Sequence, residues 1–133
     1  MTSTQHYQLN QWAADDQVLR TDFNADNAKI DAALAGKGNC RLYTGSYVGT
    51  GTKEQSFTFP AKPYFAAIMG GSFFIIMAHG ITSTVSLSSF RQTSVDIAWT
   101  GNTASWEVHN YDQDACNLEN VTYQVIALLD AEA

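Results

Sequence analysis

The side chains best suited to hold a ligand gather in one stretch, Val108 to Asn120, the longest segment without a strand pattern. It carries His109, Asn110, Tyr111, Asp112, Gln113 and Asp114 in succession. A tyrosine offers a ring face for stacking on a sugar, and amides and carboxylates hydrogen-bond hydroxyls. Arg91 and Gln92, in a turn between Phe90 and Thr93, join this set if that turn lies at the same end of the fold. Ligand contacts are expected from loops, since strands are consumed by the core. The competing reading is a plain solvated loop.

Covalent chemistry has less to work with. A nucleophile needs a base poised beside Ser or Cys. The histidines His6, His79 and His109 are scattered, and no Gly-x-Ser-x-Gly elbow is present. His79 closes an apolar strand before Gly80 and reads as a turn residue. Gly49-Thr50-Gly51-Thr52-Lys53 lacks the spacing of a phosphate loop, and no helix follows to aim amides at a phosphate. The run Asp112–Glu119 is rich in oxygen ligands but fails the EF-hand pattern, with Cys116 at the fifth position, Asn117 where Gly is needed and Tyr123 at the twelfth. Asp96, Glu107, Asp112 and Asp114 could supply paired carboxylates for glycoside cleavage. Asp96 and Glu107, however, alternate with apolar neighbours like outward residues of strands. Trp99 and Trp106 flank one turn and read as core or interface residues, with sugar stacking as the rival. Cys40 and Cys116 are too few for a zinc pattern or a disulfide framework and are expected to be free thiols. The residues thus point to binding without catalysis, and to neither metal nor cofactor.

The composition limits the partners. The chain has 133 residues, 45% hydrophobic and 15% charged, with a formal net charge of −6. That is enough apolar material for a core in about one domain. An acidic surface without a basic patch repels phosphate, so no nucleic-acid partner is expected. The opening MTSTQHYQLNQW has no signal-peptide character. The apolar run Tyr64–Ala78 is interrupted by Gly70-Gly71-Ser72 and falls short of the roughly 20 residues that span a bilayer, so no membrane insertion is expected.

The elements that must position these side chains divide near Gly36-Lys37-Gly38. Before that point, Asp15 or Asp16 can cap a helix, with Thr21 as a second start. Leu19, Phe23, Ile30 and Ala33 follow at heptad-like spacing, which Asp26 interrupts. A helix of about 20 residues with so narrow a stripe is marginal alone. It either lies on its own β head or associates with copies of itself in a parallel bundle, the option that suits Phe23 and Ile30. After residue 36 the pattern is strand and turn: Cys40–Val48, Ser56–Phe59, Tyr64–Met69, Phe73–Ala78, Ser83–Phe90, Ser94–Trp99, Thr103–Val108 and Val121–Leu129. Tyr64–Met69 and Phe73–Ala78 are apolar on consecutive residues, so both faces should be covered, one by the sheet's own core and one by a neighbouring subunit. The expected fold is α+β, a helical stem at 1–36 followed by an antiparallel β-sandwich or jelly-roll head at 37–133.

The stretch Leu9–Leu34, with its core Trp12, Asp16, Val18-Leu19-Arg20, Asp22-Phe23-Asn24, Asp26-Asn27 and Lys29-Ile30-Asp31, resembles the N-terminal stem of tail-fibre and receptor-binding proteins from phages and prophages of Gram-positive, gut-type bacteria. Tyr43–Tyr47 with Gly49–Thr52, Phe57–Pro63, Ala98-Trp99 with Ser105-Trp106, and Asn117-Leu118 before Val121–Leu128 are similar to heads downstream of such stems. Phe59-Pro60-Ala61 departs from a Gly-Phe-type lead into Lys-Pro. The resemblance implies a homotrimer with a trimeric coiled-coil-like stem, joined to other tail or baseplate proteins. It places the chain in a virion tail or fibre, made in a bacterial cytoplasm, with heads adhering to a host-surface saccharide or protein. It supplies no catalytic residue. A purely structural virion module (a tail joint or capsid decoration) and a small glycan hydrolase are the alternatives.

Overall fold

The computed structural model describes residues 1–38 and 40–131. They fall into two compact units divided after Gly38. The first holds a short hairpin, β1 (Thr2–Ser3) and β2 (Asn10–Gln11), and one helix, α1 (Arg20–Ala35). The second holds β3 (Cys40–Val48), β4 (Glu54–Thr58), β5 (Pro63–Gly70), β6 (Phe73–Ala78), β7 (Ser83–Leu87), β8 (Gln92–Thr100), β9 (Thr103–Val108), a 3-10 turn at Asp112–Ala115, and β10 (Thr122–Asp130).

The expected α+β chain with a helical stem is therefore wrong: the protein is mostly β. The helix has 16 residues and spans only about 24 Å. It starts late because Asp16 is occupied elsewhere. Its carboxylate accepts from the backbone N–H of Ala13 at 2.8 Å and pairs with the N-terminal amine at 3.0 Å, fixing a turn where a helix cap was expected. Those same contacts, the Ala13 amide first, hold the Asp16 carboxyl below the usual range. Leu19 becomes the residue before the helix, with extended backbone and no side-chain cap. Nor is Asp26 a flaw in a seam. It is buried and accepts from the backbone N–H and side-chain amide of Asn10 at 2.8 and 3.2 Å, so that part of the stripe is covered by the chain's own hairpin. Leu19, Phe23 and Ile30 remain exposed and Ala33 half-buried. Among the described residues no helix is long and apolar enough to cross a membrane.

The second unit is a single antiparallel sheet in the order β3-β10-β5-β6-β7-β8-β9-β4, where two packed sheets were expected. Period-two alternation gives each strand an inner and an outer face. The inner face carries the core, with Phe59, Ile68, Ile75, Met77, Val95, Trp106, Tyr123, Val125 and Leu129 almost fully buried. The sheet curls until side chains of its two edge strands touch over that core. Tyr43 and Tyr47 of β3 reach Phe57 of β4, with ring centroids 6.4 and 6.1 Å apart. Closure of this kind buries one face of a single sheet without a second layer.

The outer face is split. On β4, β9 and β8 it is polar and acidic, and the register sets Glu54 opposite Glu107 and Glu107 opposite Asp96. On β10, β5 and β6 it is apolar. There the register aligns Leu128 with Phe65, Ile126 with Ala67 and Ile76, and Met69 with Phe74. Strand β7 has its polarity inverted: Ser86 points into the core, where its hydroxyl has no partner among the described residues, while Val85 and Leu87 lie on the outer face beside Phe74.

Candidate functional site

The turn joining β7 to β8 is built by Ser88. Its backbone N–H donates to the Arg91 carbonyl at 2.9 Å, and its hydroxyl accepts from the N–H groups of Phe90 and Arg91. This local hydroxyl-to-backbone turn is a common use of serine. It projects Phe90 outward, 69% exposed. The segment after β9 then comes alongside. Tyr111 precedes the 3-10 turn, and Asp114 on that turn is fully buried.

Asp114 fixes the arrangement. One carboxylate oxygen accepts from Arg91 Nε and Nη2 at 3.1 and 2.7 Å, and the other accepts from the Thr93 hydroxyl at 2.6 Å. A buried carboxylate is tolerated because it is both paired and hydrogen-bonded. Above the pair the Arg91 guanidinium lies 4.6 Å from the Tyr111 ring centroid, with the rings of Phe73 and Phe90 at 5.4 and 5.7 Å. Tyr111 is 55% exposed. Two open aromatic faces thus flank a cation that is anchored from beneath. Part of the guanidinium fork lies outside the Asp114 pair and can donate outward.

The sequence-derived set divides in space. Arg91, Tyr111 and Asp114 come together, with Asp114 as an anchor inaccessible to a ligand. Asp112 is half-buried, its carboxylate accepting from the next backbone N–H at 2.9 Å. Asn110 and Gln92 are exposed. His109 turns to the other side, its Nε2 3.0 Å from the carboxylate of Asp96. That pair stands at the acidic half of the outer face, where an open groove of about 580 Å³ is lined by Glu54, Gln55, Ser56, Asp96, Ser105 and Glu107. Asp96 and Glu107 are outward neighbours there, while Asp114 is buried beneath Arg91. Among the described residues no group of three or more His, Cys, Asp or Glu could hold a metal ion.

Trp99 and Trp106 both serve the core. Trp106 donates from its ring N–H to the Ala115 carbonyl at 2.8 Å, and Trp99 donates to the Ile81 carbonyl at 3.1 Å with His79 against its ring. Cys40 and Cys116 are free. Burial, with the nearby Asp114 charge, pushes the Cys116 thiol up to about 12, the reverse of an activated nucleophile.

Asn117 and Phe90 are not among the residues expected to form the site. Asn117 is fully buried, and its amide oxygen accepts from the Thr50 backbone N–H at 2.9 Å and from Gln55 at 2.6 Å. Its NH2 donates to the Thr52 and Glu54 carbonyls at 2.9 and 3.0 Å. It clamps the Gly49–Lys53 turn onto the loop. Gly49 is required there, since a Cβ would sit 2.1 Å from the Leu118 carbonyl oxygen. Phe90 carried no signal beyond being apolar in a turn.

No family model, curated protein or solved structure matches this chain.

Proposed function

We propose that this chain is a non-enzymatic adhesive module of the phage or prophage tail-fibre type, touching a host-surface saccharide or protein through Phe90, Arg91 and Tyr111. The observation that carries the reading is the fixed guanidinium between two open rings. Exposed arginines are ordinarily mobile, and ordering one at binding costs rotamer entropy. Here the buried Asp114 holds it in advance. Ring faces stack on the apolar face of a sugar, and outward N–H groups donate to its hydroxyls or carboxylates. In this reading the protein is a homotrimer in a virion tail, joined to other tail or baseplate proteins. Several weak sites then act together without any new contact.

A panel of purified Gram-positive cell-wall polysaccharides and intact cell walls tests this. The chain is expected to bind at least one of them. Phe90→Ala and Tyr111→Ala are each expected to weaken binding roughly tenfold, about 1.4 kcal/mol per stacking face. Absence of binding by the unaltered chain, or unchanged binding by a folded double variant, overturns it. A structural virion module without host contact is the second reading, favoured by the apolar outer face of β10, β5 and β6.

A further inference from the structure

We infer that the apolar outer face of β10, β5 and β6 is an interface between copies of this chain, sheet face against sheet face. The inference is independent of the adhesive reading. Six large side chains, Phe65, Met69, Phe74, Ile76, Ile126 and Leu128, stand in adjacent register rows, each between 39% and 44% exposed. At about 200 Å² for a fully open large side chain they present about 500 Å² of apolar surface. That lies at the upper end of what a typical monomer leaves open. A standard interface takes about 800 Å² from each partner, somewhat over half of it apolar. The patch therefore supplies the apolar share of one such interface, and Leu42, 69% exposed beside Leu128, extends it onto β3.

The inverted strand β7 argues that the face is meant to be covered. A one-sided sheet sends apolar residues inward and polar ones outward. Strand β7 puts Ser86 inside with no hydrogen-bond partner among the described residues and turns Val85 and Leu87 toward the patch, where these two side chains gain burial only if that side is also dry.

Charge selects the occupant. The chain carries a net −6, so copies repel wherever acidic surface meets. Of the acids on this sheet's outer face, Glu54, Asp96 and Glu107 lie on its other half, while Asp130, at the end of β10 beyond Leu128, accepts from the Tyr64 hydroxyl at 3.1 Å and stands at the margin of the patch. The register rows of the patch are bordered by Thr44, Ser46 and Gln124, uncharged groups that meet a neighbouring copy without charge repulsion. Small Ala67 at the centre lets two sheets approach to the usual spacing of about 10 Å.

Sedimentation equilibrium of the full chain tests this. The expected result is an assembly of at least twice 14.6 kDa at micromolar concentration. Ile76→Lys with Ile126→Lys, both outward and so compatible with folding, should raise the dissociation constant at least roughly 100-fold while circular dichroism is unchanged. Ser105→Lys, on the polar half, should leave the assembly intact. Phe23→Asp, in the first unit, should do the same. A monomer at 50 µM (about the concentration at which weak dimers already form), or a folded double-lysine variant that still associates, overturns the inference. So does an assembly that Phe23→Asp dissolves and the double-lysine variant does not. Should the double variant fail to fold, Ile76→Ser with Ile126→Ser is the milder test, judged by the same criterion.

Discussion

Replacing Asp114 by alanine tests whether the Arg91 platform is held from beneath. The carboxylate is fully buried, whereas the Arg91 side chain keeps 28% of its surface open. Breaking a wholly buried pair costs about 3–5 kcal/mol. Water can reach the abandoned guanidinium, so the ionic part falls to about 2 kcal/mol. Thr93 also loses its acceptor in a closed site, adding about 1 kcal/mol. The expected loss for Asp114→Ala is about 3 kcal/mol. Arg91→Ala should cost more, about 4 kcal/mol, because the charge it strands has no access to water. In urea melts with a slope of about 1.5 kcal/mol per molar, Asp114→Ala moves the midpoint down by about 2 M. The double variant should cost clearly less than the two singles added, giving a coupling of at least about 2 kcal/mol. Refutation would come from Asp114→Ala lying within about 0.5 kcal/mol of the unaltered chain, or from Arg91→Ala proving the milder change.

Two further results are expected. Asn117→Ala should cost about 3 kcal/mol in the same melts and expose the Gly49–Lys53 turn to limited proteolysis, since buried groups of that turn lose their partners. Asn117→Asp should fare no better, because a carboxylate cannot donate to the Thr52 and Glu54 carbonyls. For the thiols, maleimide labelling at neutral pH should modify exposed Cys40 and reach Cys116 only after unfolding. The Cys116 thiol is raised from 9.0 to about 12, so the unfolded chain ionises first. The stability it contributes is full below about pH 9 and lost as pH rises toward 12. Burial raises Tyr47 in the same direction from 10.0, so Cys116→Ala should delay the alkaline decline toward pH 10 without abolishing it.

Strand positions were legible because period-two patterning and glycine turns are local signals. Turns fall at Gly70–Ser72 and Thr100–Asn102, and Tyr123, Val125 and Ala127 alternate inward along β10 as period-two patterning directs, with Val121 just before the strand and half-buried. The number of layers was not legible, since closing one sheet and stacking two need the same alternation. It took the Tyr43–Phe57 and Tyr47–Phe57 contacts, between the strands at the two opposite edges of the sheet, to decide that. The helix was over-read because heptad spacing counts Asp26 as a defect, while its partner, Asn10, lies sixteen residues upstream. At the candidate site the turn that carries Arg91 lies against Tyr111, while Asp114 is buried beneath the guanidinium instead of open to a ligand. Nothing local in Asp112-Gln113-Asp114 tells which carboxylate faces solvent, and that depends on where the β7–β8 turn arrives.

The two halves of the outer face then place the platform in a consistent position. Phe90 and Arg91 sit on the turn that leaves apolar-faced β7 and enters polar-faced β8. They belong to the seam between the halves. If copies meet through β10, β5 and β6, their contact ends before β8, and the rings of Phe90 and Tyr111 stay open at its border. A residue buried by assembly could not also meet a ligand, so the division is a condition that both proposals must satisfy together. Phe90 and Tyr111 would then be sensitive to neither association nor core packing, whereas Arg91 and Asp114, paired beneath them, couple to folding. Ligand affinity per site and number of linked sites can vary separately in such a design, because different strands govern each.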